Sequence, residues 1–287
     1  MKNELNVTTN EVEEMKYRIY AEEVARIIGD NAEVYVAEKA NGVRKTGIRL
    51  KLDEHINPTL YINELFDHDV PVEEAAERIK EMADEAMENV KDFSLPNIEE
   101  YEAIKSNLKV RLYNRATKAD VQMSAAKYGF DDLILVPVID EIVKGGSVKV
   151  TSSMLSSWEK TVEEVVSDAI ENLDYVCRPL DEVISEMMGV FGDMDDDIPV
   201  SPFPIFLITN KSNVCGAASI LVAKKEIEER FPNGYIVIPS SIHEVMVVPE
   251  ECEDNPLTSI VKEVNETNVS PEERLSNNIY RFEGRNS

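Results

Sequence analysis

Histidine is scarce: His55, His68 and His243 are the only three in 287 residues, and no H-x-x-x-H spacing occurs. That excludes a multi-histidine catalytic metal centre, and no metal site is expected. Cysteine is equally scarce. Cys177, Cys215 and Cys252 are far apart, odd in number and never spaced C-x-x-C. A disulfide framework and a thiolate zinc site are excluded, and the expected setting is reducing and cytoplasmic. Neither G-x-x-x-x-G-K-S/T nor G-x-G-x-x-G is present, so nucleotide handling has no support and no cofactor is expected. The opening M-K-N-E-L-N-V-T-T-N has no apolar core, and no apolar run approaches the roughly 18 residues of a membrane span.

Positive charge is the other shortage. Thirty Lys and Arg stand against 56 Asp and Glu, a formal net charge of −26. Such a field repels phosphate backbones and anionic membrane surfaces, so neither direct nucleic-acid binding nor membrane association is expected. It attracts a basic protein partner, including proteins that bind DNA, and it also serves plain solubility. Nothing in the pattern sets an oligomeric state.

What is present is clear periodicity. Val12, Met15, Ile19, Tyr20, Val24, Ile27 and Ile28 share one helical face, opened by Asn10 as N-cap with Glu13 three residues on. The strand-like runs A-E-V-Y-V-A-E-K and R-K-T-G-I-R-L-K-L flank Asn41-Gly42, a pair suited to the positive φ angles of a tight hairpin turn. T-L-Y-I-N-E-L-F follows Pro58 as a short apolar run. Pro71 then opens a helix with Val72, Ala75, Ala76, Ile79, Met82, Ala83, Ala86, Met87 and Val90 on one stripe and acids opposite. Phe93 to Asn97, with Pro96, marks a boundary.

Beyond it the pattern predicts a short helix at 98–106, strands at 108–113, 132–138 and 147–151, and a helix opened by the capping box Thr161-Val-Glu-Glu164. A strand pair is expected at 203–209 and 215–222, then a helix at 224–231 and strands at 235–238 and 242–248. After Glu250 two helices are expected, the second opened by Ser270-Pro-Glu-Glu273. Val72-Glu-Glu-Ala75-Ala76 and Val162-Glu-Glu-Val165-Val166 echo each other 90 residues apart, which suggests an internal hairpin-strand-helix repeat. The expected fold class is α+β: antiparallel sheets built from β-hairpins with amphipathic helices packed on one face. The expected division is an α+β unit at 1–93 (helix, hairpin, strand, helix), a second α+β unit at 94–250, and a helical segment at 251–287 packed on the body.

Candidate chemistry centres on I-P-S-S-I-H-E-V-M-V-V-P-E, residues 238–250. Ser241, His243 and Glu244 are the catalytic candidates, in the roles of nucleophile, base and orienting carboxylate. If 242–248 is a strand, pleating sends the His243 imidazole and the Glu244 carboxylate to opposite faces, and the serines before it are turn residues. G-x-S-x-G is absent. Asn210, Cys215 and Ser240 are the candidate binding residues. Cys215 precedes Gly216-Ala-Ala, small residues suited to close packing at the start of an apolar strand. A Cys215–His243 thiolate pair across neighbouring strands is the alternative to a buried inert thiol. Gly192-Asp193-Met-Asp195-Asp196-Asp197 invites a calcium reading, but the sixth and twelfth positions from Asp193 hold Ile198 and Pro204 where glycine and glutamate are needed.

Several phrases resemble a bacterial family, the domain of unknown function 5688. They are N-P-T-L-Y-I-N-E-L-F (57–66), D-D-L-I-L-V (131–136), the helix near Val162, L-I-T-N-K…G-A-A-S-I-L (207–221), I-P-S-S-I-H-E-V (238–245) and V-K-E-V-N-E-T-N-V-S-P-E-E-R-L-S-N-N-I-Y (261–280). The resemblance spans almost the whole chain. It implies an ordered region after Glu250 and assigns no catalytic residue. Asp195 to Asp197 and Cys215 lie outside the resembling pattern. The expected function is that of a non-enzymatic cytoplasmic interaction protein with a strongly acidic surface, in its sharpest form a decoy for a basic DNA-binding protein. The alternative is a hydrolase-like enzyme with a site around Ser241, His243 and Cys215.

Overall fold

The computed structural model describes residues 9–51, 58–90, 97–143, 146–191, 203–239, 241–252 and 254–285. The chain divides into two units, Met1–Ser94 and Leu95–Ser287. In the first, α1 (Thr9–Ile28) leads into β1 (Ala32–Glu38), β2 (Arg44–Leu50) and β3 (Thr59–Tyr61), then a short α2 (Asn63–Asp67) and a long α3 (Val72–Val90). The three strands form an antiparallel meander with β2 in the centre. Its first turn is the expected one: Asn41 and Gly42 have φ of 59° and 72°.

The core of this unit is aliphatic. Ile48 and Leu50 of β2, Ile62, and Ala75, Ala76, Ile79 and Ala83 of α3 pack with Tyr20, Ala21 and Val24 of α1. Two expectations for α1 need correction. Thr9 is already helical, so Asn10 lies inside the helix and does not cap it. The buried face runs through Tyr20, Ala21 and Val24, while Val12, Met15, Ile19 and Ile27 are exposed. The reason is aromatic: Tyr17 and Tyr20 both pack edge-on against Phe66, at 5.2 and 5.4 Å between ring centroids, and this fixes the helix's rotation.

In the second unit, one turn of helix, α4 (Tyr101–Ile104), precedes β4 (Leu108–Asn114), β5 (Met123–Ser124), β6 (Leu133–Val143) and β7 (Gly146–Lys149). Next come α5 (Ser152–Trp158) and α6 (Val162–Glu171), then β8 (Val176–Pro179) and α7 (Leu180–Phe191). The chain continues through β9 (Phe206–Thr209), α8 (Ile220–Arg230), β10 (Gly234–Ile238), β11 (Val245–Pro249), α9 (Asp254–Thr267) and β12 (Tyr280–Glu283). β6 pairs with β4 on one side and with β5 and β7 on the other. A second sheet runs in the order β12-β10-β11-β9-β8, every neighbour antiparallel. The capping box at Thr161 and Glu164 forms as expected and opens α6, whose Val165, Val166 and Ala169 are buried.

The suggested repeat has a structural counterpart. Helix, three-strand meander, short helix and long helix occur in that order as α1-β1-β2-β3-α2-α3 and again as α4-β4-β6-β7-α5-α6, with β5 inserted in the second copy. The fold class is α+β, with antiparallel sheets throughout the described residues. Two local expectations fail. Residues 215–222 are not a strand: a 3-10 turn at Gly216–Ser219 runs into α8. An apolar run of that length fits either state, and here the helical one buries Ala217, Ala218, Ile220 and Ala223. Residues 270–273 make a single turn, closed by the Glu273 N–H on Ser270 O at 2.9 Å, and the chain then enters β12 instead of a second helix. No helix among the described residues is long and apolar enough to cross a membrane.

Candidate functional site at the turn 241–244

Strand β11 begins at Val245, three residues later than the sequence suggests. Ser241 causes the delay. Its N–H donates to Glu244 O at 3.2 Å, and its hydroxyl accepts the His243 N–H at 3.0 Å. A serine side chain that captures an amide two residues on competes directly with the ladder. Pleating therefore does not separate the His243 and Glu244 side chains, as expected of a strand; a turn sets both. The turn is held from several directions. Ile242 N–H donates to Glu273 O at 2.9 Å, Ala217 N–H to Ile242 O at 3.1 Å, and Thr209 Oγ1 to His243 O at 2.8 Å.

The three catalytic candidates sit within four residues but have different partners. Ser241 Oγ donates to Glu244 Oε1 at 2.8 Å. His243 Nδ1 accepts the Cys215 N–H at 3.2 Å, which leaves the proton of the neutral ring on Nε2, 3.4 Å from Glu273 Oε1. The hydroxyl of Ser241 meets the backbone of His243, not its ring. A hydroxyl nucleophile needs the base's lone pair, and here that lone pair is taken by an amide. Ser241 is itself only 6% exposed. Ser240 and the Asp193 to Asp197 loop lie outside the described residues.

Cys215 joins His243 through its amide and faces a different neighbourhood with its thiol. It stands at the N-terminus of the Gly216–Ser219 turn with φ of 51°. Burial pushes its thiol upward, against the pull of the Arg111 guanidinium. Cys177 is pushed up by burial to about 11. Neither is primed as a thiolate.

Cys215 and Asn210 line one cleft of about 360 Å³, together with Lys109, Arg111, Asp140 and Asp174. Alternation along β4 puts Lys109, Arg111 and Tyr113 on one face, opposite the fully buried Leu108, Val110 and Leu112. Arg111 Nη2 lies 3.1 Å from Asp140 Oδ1, and the guanidinium also lies beside the Tyr113 hydroxyl. Lys109 donates to Asn172 O and lies 3.7 Å from Asp174. Asn210 spends its side chain on its own loop: Nδ2 donates to Val214 O at 2.8 Å, and Oδ1 accepts from Ser212 Oγ and the Val214 N–H at 3.0 and 3.2 Å. The amides of Lys211, Asn213, Val214, Cys215 and Ala217 all donate to protein acceptors. A helix start whose amides are already committed is not a phosphate cradle. Arg111, Asp140 and Asp174 escaped the sequence reading; the signal that could have found them is the basic-aromatic alternation Lys109-x-Arg111-x-Tyr113 within an acidic chain.

The distinctive phrases of the sequence meet one another in this unit. Asp132 accepts from Ser276 Oγ at 2.6 Å, Asn278 Nδ2 at 3.0 Å and Tyr280 Oη at 2.5 Å. Asn114 donates to Leu275 O at 2.6 Å, and Asn265 to Ser276 O at 2.9 Å. The family of unknown function DUF5688 matches residues 13–284. The chain belongs to this family. No curated protein and no solved structure matches it. The phrases in which this chain resembles DUF5688 thus include residues that pin β12 and the 241–244 turn in place, a structural reason for their presence that requires no catalytic role.

Proposed function

We propose that the protein is a non-enzymatic binding protein, cytoplasmic, whose acidic helix α3 engages a basic protein partner. The observation that carries this is the surface of α3. It bears seven acids and two cations. Glu73, Glu77, Glu81 and Asp84 recur about once per helical turn, roughly every 5.4 Å, along its exposed face. None of these four makes an ion pair among the described residues. Like charges in such a row repel one another, and a cationic partner relieves that repulsion. A DNA-binding protein that tracks a row of phosphates is the partner such a row would attract. The three cysteines are free thiols, in keeping with a reducing compartment.

The hydrolase reading has less support, because both ring nitrogens of His243 and the hydroxyl of Ser241 are engaged in holding the turn. The test is affinity capture from host extract at low and at high salt, with the wild type and with a triple variant, Glu73→Lys, Glu77→Lys, Glu81→Lys. A basic protein captured by the wild type, released by salt and lost by the variant is the expected result. Equal capture by the variant sinks the proposal.

A further inference from the structure

A second cleft, of about 310 Å³, opens where β10, β12, the start of α8 and residues 127–130 meet. Its floor is apolar and aromatic: Phe130, Ile220, Leu221, Tyr235 and Phe282. Tyr235 and Phe282 face each other in register on β10 and β12 and stack, with centroids 5.1 Å apart and planes 12° apart. Gly129, at φ of 92°, is pressed against the Phe282 ring, where a Cβ would come within 2.6 Å. Lys127 and Lys224 supply charge, and no carboxylate lines the cleft. In a chain of net charge −26 that is a local reversal. The acid that bears on it, Glu228, is held by Arg285 at 3.0 Å and by Lys224 at 3.6 Å.

Tyr235 supplies the second observation. Tyr20, Tyr101, Tyr113, Tyr235 and Tyr280 are the buried tyrosines among the described residues. The hydroxyls of Tyr20, Tyr101 and Tyr280 bond Val70 O, Asp168 and Asp132, and that of Tyr113 lies beside the Arg111 guanidinium. Tyr235 is 3% exposed, yet its hydroxyl has no hydrogen-bond partner among the described residues. No fully enclosed polar atom among the described residues is unsatisfied, so this oxygen reaches solvent, and the cleft is the opening it lines. An almost buried phenol that keeps its donor unspent, in a cleft that two lysines also line, is organised for an acceptor from outside.

We propose that this cleft binds a small anion with a flat apolar body, its oxyanion on the Tyr235 hydroxyl and the ammonium groups of Lys127 and Lys224, its body on Phe282 and Leu221. The anionic group is a carboxylate or a phosphate ester. Burial and the nearby Glu228 push the phenol up to about 12, so it remains a donor at neutral pH.

The test is an NMR titration of the intact protein with benzoate and with phenyl phosphate, with benzyl alcohol as the neutral control. Saturable shifts at Gly129, Tyr235 and Phe282 are expected with at least one anion and not with the alcohol; which anion binds more tightly distinguishes the two groups. Tyr235→Phe weakens that binding roughly tenfold while leaving the ligand-free melting temperature unchanged, since its hydroxyl has no partner to lose. Lys224→Ala, at an exposed position, weakens it in the same direction. Absence of shifts with both anions, equal binding of benzyl alcohol, or unaltered affinity in both variants overturns the proposal.

Discussion

In the first unit the outer face of the β1-β2-β3 meander carries Tyr35, Arg49 and Tyr61, with Arg49 stacked over Tyr35 at 4.0 Å and Tyr35 38% exposed. In the second, the comparable face of β4 carries Lys109, Arg111 and Tyr113, and the loop and turn that lead into α8 cover it. Tyr113 is 6% exposed, and the facing residues of β6, Ile134, Val136 and Val138, are buried. The same element order thus gives an open sheet face in one unit and a covered, half-buried polar face in the other. The difference also shows in what holds each unit. The first relies on aliphatic packing around Ile48 and Ile79. The second adds polar pins across long sequence distances, Asp132 to Tyr280 being 148 residues apart.

The largest test of this contrast uses one variant per unit. Ile79→Ala removes a fully buried side chain from the first unit and is expected to cost about 3 kcal/mol there. Asp132→Ala strands the donors of Ser276, Asn278 and Tyr280 and is expected to cost about 3 kcal/mol in the second unit. Hydrogen exchange followed residue by residue reads which unit each variant loosens. If either variant loosens both units equally, the contrast between them fails.

A smaller effect separates the two sheet faces. Arg111→Ala removes the bond to Asp140 and the packing of the guanidinium beside Tyr113, and is expected to cost about 1–2 kcal/mol. Arg49→Ala, on the open face, is expected to cost no more than about 0.5 kcal/mol. Urea denaturation of both variants measures the gap; equal losses mean that the cover over the second face adds nothing to its stability.

The smallest effect is one of pH. The Tyr101 hydroxyl, 2.7 Å away, together with Lys105, holds the Asp168 carboxyl below the ordinary carboxylate range. A depressed folded-state value stabilises the fold above the unfolded value, and that contribution is lost as pH falls below about 4. The Asp168 side chain is 21% exposed and its partner Lys105 43%, so water screens the pair and the contribution is about 1 kcal/mol or less. Asp168→Asn should flatten the acid dependence of the second unit by that amount, and an unchanged acid limb in pH-dependent melting would contradict it.

Local chemistry was legible in the sequence. Asn41-Gly42 turns the hairpin because two adjacent residues tolerate positive φ, and Thr161 with Glu164 caps α6 by bonds that span three residues. The stripe of α3 was readable because its period is its own. What escaped depended on partners far along the chain. Ser270-Pro-Glu-Glu273 has the form of a helix start, but Asn114 and Asp132 hold the following Leu275 and Ser276 in a non-helical path. Arg111 and Cys215 are neighbours only because the turn at Gly216–Ser219 packs against β4. His243 and Glu244 are close in sequence, yet the partner assigned to the imidazole, Glu273, lies 30 residues downstream.

The position of β12 also sets an order of events during synthesis. The first unit has all its strands and helices once residue 94 has left the ribosome, and it can fold while translation continues. The second cannot close its five-stranded sheet until residue 283 emerges, because β10 is flanked by β11 on one side and by β12 on the other. For that interval the nascent chain carries a bare, strongly apolar strand edge at Tyr235 to Ile238, open to pairing with any other extended chain nearby. A ribosome stalled within the last 40 or so codons would therefore hold its most aggregation-prone intermediate.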